Sequence, residues 1–251
     1  MAQNIYDTPE FFEGYSKLER SVHGLAGAPE WPRLRALLPP SLTGLNILDL
    51  GCGFGWFARW AQQEGAASVY GIDVSENMLA RAKALASTET PGEGQITYLK
   101  ADLDSWDPPP NAKYDLVFSS LALHYLADLP RLVSVVHRVL RPGGTFVFSI
   151  EHPIFLAPSA PGMATDPETG KRYWRLDDYQ VETQRTSNWL AEGVRKQHRT
   201  LTTWINSFLD SGFQLTGFEE WKPTAEHLEK NPGWIDELAR PMFLLMRVTR
   251  N

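Results

Sequence analysis

The feature that most constrains this chain is Ile47-Leu48-Asp49-Leu50-Gly51-Cys52-Gly53-Phe54-Gly55, a short apolar run that stops in three alternate glycines. A run of that length reads as a strand buried on both faces. Glycines let the chain turn sharply and bring its backbone close to a ligand, because no Cβ intervenes. A helix is predicted next, over about 56–63, then a second strand at 68–73. Ser75 can cap a further helix that runs to about Ala86. Third and fourth strands are expected at 96–100 and 114–119. Leu132, Val135, Val136 and Val139 mark one face of the next helix. Pro142-Gly143-Gly144 turns that helix into a fifth strand at 145–150. Strands alternating with helices demand crossovers, and so an α/β, doubly wound, mostly parallel sheet. Later strands are expected at 213–220 and 243–249, the second of them as an edge insertion.

Two segments fall outside this rhythm. Residues 1–40 carry Tyr6, Phe11, Phe12, Tyr15 and Trp31 and read as an N-terminal helical cap. Residues 151–199 form a long break before a helix near 201–210. Long connections in compact domains are often functional lids. In an open α/β sheet, ligands bind beyond the carboxyl ends of the strands, and this segment leaves from such an end. The expected organisation is one domain: cap at 1–40, binding core at 45–150, inserted lid at 151–199 and the rest of a Rossmann-like sheet at 200–251.

Composition narrows the function. The chain has 251 residues and a formal net charge of -6. Its densest basic cluster, Arg195-Lys196-Gln197-His198-Arg199, is too short for a nucleic-acid footprint, which depends on phosphate neutralisation. No apolar run approaches a membrane span, and the first residues lack a signal-peptide pattern. Cys52 is the only cysteine, so there is no internal disulfide framework. A cytoplasmic address is expected, with no membrane partner. Nothing in the sequence fixes an oligomeric state.

Asp73 ends the second strand about 20 residues after the glycines, where a carboxylate can accept both ribose hydroxyls of an adenosine. The spacing selects the nucleoside. A dinucleotide fingerprint needs G-x-G-x-x-G, and here its third position is Trp56; the glycines run 51, 53, 55. This pattern resembles motif I of class I S-adenosylmethionine (SAM)-dependent methyltransferases. Lys100-Ala101-Asp102-Leu103, Tyr114-Asp115-Leu116-Val117-Phe118-Ser119-Ser120 and Leu140-Arg141-Pro142-Gly143-Gly144 are similar to that family's later core segments, in order. The likeness covers about residues 45–150. It is greatest to the small-molecule branch that includes ubiquinone and menaquinone biosynthesis methyltransferases.

The resemblance implies SAM as cofactor, with S-adenosylhomocysteine (SAH) as product and no metal. It implies SAM contacts from Asp49, Gly51, Cys52, Gly53, Asp73, Val74, Ala101, Asp102, Leu103 and Ser119. It also suggests Met78 against the adenine and Tyr15 closing over the sulfonium, an aromatic face being attractive to a cation. Helix packing explains both residues equally well.

Asp107-Pro108-Pro109-Pro110 resembles the Asp/Asn-Pro-Pro-aromatic motif of amino-methylating nucleic-acid enzymes. It precedes the fourth strand instead of following it, and lacks the aromatic residue, so it reads as a rigid loop. The acceptor is then expected to be a small molecule, methylated at oxygen. Carbon or nitrogen methylation is the alternative, ahead of a non-catalytic SAM-binding regulator or a dinucleotide-dependent oxidoreductase. A hydroxyl or acidic carbon needs a proton acceptor. His124 and His152 follow the fourth and fifth strands, and His198 closes the long insertion, so these three are expected to converge as catalytic candidates. The insertion holds seven basic and seven acidic residues, with several aromatics. Tyr173, Trp174 and Arg199 are its candidate acceptor-binding residues.

Overall fold

In the computed structural model, which describes residues 3–88 and 92–251, the strands are β1 (Asn46–Leu50), β2 (Ser68–Asp73), β3 (Gln95–Lys100), β4 (Tyr114–Ser120), β5 (Leu140–Glu151), β6 (Met163–Thr165), β7 (Arg172–Trp174), β8 (Gln184–Trp189), β9 (Ala191–Gln197), β10 (Phe213–Glu220) and β11 (Phe243–Arg250). The α-helices are α1 (Pro9–Ser16), α2 (Glu19–Val22), α3 (Trp31–Leu37), α4 (Trp56–Gln63), α5 (Glu76–Thr88), α6 (Leu129–Val139), α7 (Pro153–Leu156), α8 (Leu201–Leu209) and α9 (Ala225–Lys230). Seven strands form one sheet in the order β10-β11-β5-β4-β1-β2-β3, parallel from β5 to β3. This is the Rossmann-like α/β sheet expected from the alternation of elements. No helix among the described residues is long and apolar enough to cross a membrane.

Local chemistry sets the helix starts. Ser75 accepts the Met78 N–H at 3.1 Å and so caps α5 as expected, while Asp128 and Thr200 accept from Arg131 and Thr203 to cap α6 and α8. One face of the sheet packs on α6 and α8 through Val136, Phe148, Trp204 and Phe208; the other packs on α3 and α4 through Leu34, Phe57, Phe118 and Leu245.

The last strand is not an edge. β11 pairs antiparallel with β5 on one side and β10 on the other, and β10 forms the border. The residues say why. Leu244, Leu245 and Met246 are all fully buried, so both faces of β11 are covered. β10 alternates buried or half-buried with exposed positions, as a one-sided border strand does.

The long connection is not structureless. Within 151–199 lie two hairpins, β6–β7 and β8–β9, each separate from the main sheet. Helix α1 meets the second hairpin through a third apolar cluster, in which Ile5, Phe11 and Val194 are buried against Tyr6, Tyr15, Tyr125, Trp189 and Leu190. The Gln3 side-chain amide adds a polar strap, donating to the Gly193 carbonyl and accepting from the Arg195 N–H at 2.8 Å each.

Candidate active site

A cavity of about 800 Å³ opens at the carboxyl ends of the strands, roofed by the N-terminal segment and by β8–β9. That lies within the roughly 300–1,000 Å³ usual for small-molecule sites. Its floor starts with the glycine loop. Gly51 sits at φ +72°, and a Cβ there would lie 2.4 Å from the Ala122 Cβ in the loop after β4, so only glycine lets the two loops meet. Gly53, at φ +52°, has open space where its Cβ would be, and its N–H donates to Asp73 Oδ2 at 2.8 Å.

Asp73 is thereby locked. Its Oδ1 accepts the Ser75 N–H at 2.9 Å. Each carboxylate oxygen has taken one backbone donor and keeps a lone pair for another, as a pair of ribose hydroxyls would require. Burial pushes this carboxyl up to about 6 against the opposing pull of the backbone donors. Asp49, 2% exposed, has an Oδ2 without a hydrogen-bond partner, and burial together with the Asp73 charge drives its carboxyl well above the usual range. Two buried acids side by side, the one raising the other's affinity for protons, make a floor suited to a cationic ligand. SAM, with its sulfonium and amino group, has that charge, so the residues present fit it. Burial likewise pushes the Cys52 thiol up, helped by both acids. This disfavours a nucleophilic role for Cys52.

Of the predicted cofactor residues, Tyr15, Asp49, Gly51, Cys52, Gly53, Asp73, Val74, Met78, Asp102 and Leu103 line the cavity. Ala101 and Ser119 do not. Ala101 donates its N–H to the Asp73 carbonyl, and the Ser119 hydroxyl is turned into the sheet, donating to the Leu50 carbonyl at 2.7 Å. Strand alternation brings Ser120 to the cavity wall in its place.

The three histidines do not converge. His124 alone lines the cavity. Its Nδ1 accepts the Glu151 N–H at 3.3 Å. Burial lowers its pKa well below the imidazole range, with the Lys196 and Arg199 charges adding to the effect. A neutral ring whose Nδ1 accepts carries its proton on Nε2. Such a ring is a hydrogen-bond donor, not a ready base. His152 caps α7 by accepting the Ile154 N–H and places Nε2 2.9 Å from Glu220 Oε1 on the border strand. His198 sets Nε2 2.8 Å from the Tyr179 carbonyl. His152 thus ties the start of the 151–199 segment to the border strand, and His198 ties two parts of that segment to each other.

The three predicted acceptor residues also lie outside the cavity lining. Tyr173 is exposed on β7. Trp174 stacks on Phe155 at 5.7 Å, donates to the Ile154 carbonyl and lies under the Arg240 guanidinium, which anchors β6–β7. Arg199 donates to the carbonyls of Leu126 and Ala127 and braces the loop after β4.

Other residues line this end of the cavity. Tyr6 and Tyr125 line it with their hydroxyls 3.2 Å apart, beside Tyr15 and Trp189. Glu151, the last residue of β5, forms an ion pair with Lys196 on β9. Position at a strand end marked Glu151 as strongly as His152, but their side chains leave the strand on opposite sides. Tyr6, Tyr125 and Trp189 are too far apart in sequence for spacing to join them.

Residues 48–148 match the family model described as a methyltransferase domain. An S-adenosylmethionine-dependent methyltransferase of known structure from Mesorhizobium loti is 52% identical, with a TM-score of 0.83, over 90% of this chain and 100% of that one. A structure from Listeria monocytogenes, proposed to be such an enzyme, is 41% identical with a TM-score of 0.79, over 91% and 99%. The malonyl-[acyl-carrier protein] O-methyltransferase of Pectobacterium atrosepticum is 33% identical over 64% of this chain and 54% of that protein.

Proposed function

The chain belongs to the SAM-dependent methyltransferases, and we propose that within this family it methylates a small organic acceptor at oxygen, inside the cavity between the glycine loop and the β8–β9 hairpin. The observation that carries this reading is the cavity itself. It runs from Asp73 at one end to His124 and Glu151 at the other, under a roof formed by the chain's own first residues. A roofed, aromatic-rich cleft of this kind suits a compact molecule more than a polymer strand. Likeness to a malonyl-[acyl-carrier protein] O-methyltransferase supports oxygen as the accepting atom.

SAM supplies an activated methyl group when bound. The chain's own part is to hold, align and dry the reactants. Asp73 and the 51–53 backbone would hold the nucleoside, with Met78 and Leu103 at the adenine. Asp49 would favour the cationic portion. Residues 151–199 act in this reading as a lid, closed against α1 by Phe11, Tyr15 and Trp189. The Nε2 proton of His124 would orient the acceptor.

The test uses purified protein, methyl-labelled SAM and an extract of small metabolites beside protein and nucleic-acid fractions. Label in the small-metabolite fraction, with stoichiometric SAH, is expected. Label confined to a macromolecular fraction would contradict the reading.

A further inference from the structure

We propose that Glu151 is the anchor of the methyl acceptor, and that the group offered to it is an uncharged hydroxyl, not a carboxylate; this rests on the O-methylation reading above. Glu151 lies at the carboxyl end of β5, and Asp73 at that of β2. The order β5-β4-β1-β2 separates them by three strand spacings, about 14 Å at roughly 4.8 Å each. Both line one cavity. Glu151 is thus on the same surface as the nucleoside floor but well beyond it, where a second reactant must sit.

Its hydrogen bonds define what that reactant must bring. Oε1 accepts from the Lys196 ammonium, whereas Oε2 is buried without a hydrogen-bond partner. A carboxylate can only accept. Leaving a buried acceptor unsatisfied is unfavourable, and a ligand donor would relieve it. Lys196 is already engaged: besides Glu151, its ammonium lies 5.0 Å from the Trp189 ring centre and 5.9 Å from that of Tyr125. The unmet need at Glu151 is therefore for a donor, and a group that also accepts can take the His124 Nε2–H. A hydroxyl provides that donor. A carboxylate provides none and would set a second negative charge beside Glu151.

The surroundings describe the rest of the molecule. Tyr125, Trp189 and Phe155 bring three aromatic rings into the lining of the same cavity, which suits a planar, apolar body. The acceptor class is then a hydroxylated, largely apolar and planar compound, with Glu151 selecting the hydroxyl and Lys196 holding the Glu151 carboxylate in place.

A matched pair of probes tests this: 2-naphthol and 2-naphthoate, titrated by calorimetry into protein saturated with SAH. The wild type should bind 2-naphthol at least about tenfold more tightly than 2-naphthoate, the scale of one hydrogen bond to a charged group. Glu151→Gln keeps the shape and still accepts from Lys196, but removes the negative charge and adds a donor. It should gain about tenfold for 2-naphthoate and lose its preference for the naphthol, with SAH affinity unchanged. Equal or reversed preference in the wild type overturns the proposal, as does failure of both probes to bind or an unaltered ratio in the variant. The wild-type ratio stands as a test even if the variant does not fold. If SAH itself does not bind, the methyltransferase reading falls and takes this inference with it; if SAH binds and the preference is absent, only the inference falls.

Discussion

Asp73 Oδ2 accepts the Gly53 N–H at 2.8 Å, so the acid that ends β2 fixes the loop that follows β1. The acid proposed to hold the nucleoside and the conformation of the glycine loop are therefore one structural unit. Replacing Asp73 by Asn keeps an acceptor but forfeits the charge, and a charge-assisted hydrogen bond is worth about 1.5–3 kcal/mol. SAM affinity should fall about tenfold or more, measured by calorimetry, while far-ultraviolet circular dichroism stays unchanged. Unaltered affinity would place the nucleoside elsewhere.

The raised Asp73 carboxyl makes binding depend on pH. Its folded value of about 6 means that protonation removes the charged form that ribose hydroxyls prefer. SAM affinity should decline as pH falls through about 6, and Asp73→Asn should flatten that decline. Stability of the ligand-free protein moves oppositely. Between the ordinary carboxyl value of 3.8 and about 6, the folded state holds more protons at Asp73 than the unfolded chain does. This group therefore lowers stability as pH rises through that window. Urea titrations of wild type and Asp73→Asn across the window would show the difference shrink toward acid.

The histidines should divide by role. His124→Gln should lower turnover by about 10²-fold, within the range for groups that assist at the reacting atoms, and leave SAM affinity nearly intact. His152→Gln and His198→Gln should instead lower thermal stability, with turnover per folded molecule little changed, because their partners are Glu220 and the Tyr179 carbonyl. Equal loss of turnover in all three would restore a shared catalytic role.

The roof should behave as one body. Phe11 is fully buried between Tyr6 and Trp189. Phe11→Ala removes a side chain whose truncation typically costs about 3–5 kcal/mol. Hydrogen exchange should quicken together in α1 and in β8–β9, with β1, β4 and β5 unchanged. Faster exchange in α1 alone would mean that the cap and the hairpin open independently.

Sequence order made the sheet legible because each crossover leaves a local mark: a glycine turn after Leu50, a cap at Ser75, an apolar helical face from Leu132 to Val139. Most residues expected at the cofactor line the cavity for the same reason, since they follow directly from strands β1 to β3. β11 was harder, because a short apolar strand reads alike at an edge or between neighbours; the continuous burial of Leu244 to Met246 decides it. The cavity wall beyond β4 was not legible. It joins Tyr6, Tyr125, Glu151 and Lys196 from four separate segments, and only folding brings them to one cavity. Histidine chemistry drew attention to His152 and His198, whereas their rings lie against Glu220 and the Tyr179 carbonyl, outside the cavity lining.

Transfer of the methyl group to oxygen on a small acceptor leaves a bond that can be read directly. Carbon-13 methyl SAM, turned over with the metabolite fraction that takes up label, gives a product whose methyl carbon can be read by nuclear magnetic resonance. A methyl carbon bonded to oxygen is expected, formed by the wild type and sharply reduced by His124→Gln and Glu151→Gln. A methyl carbon bonded to nitrogen or carbon, or label found only on protein or nucleic acid, would contradict it.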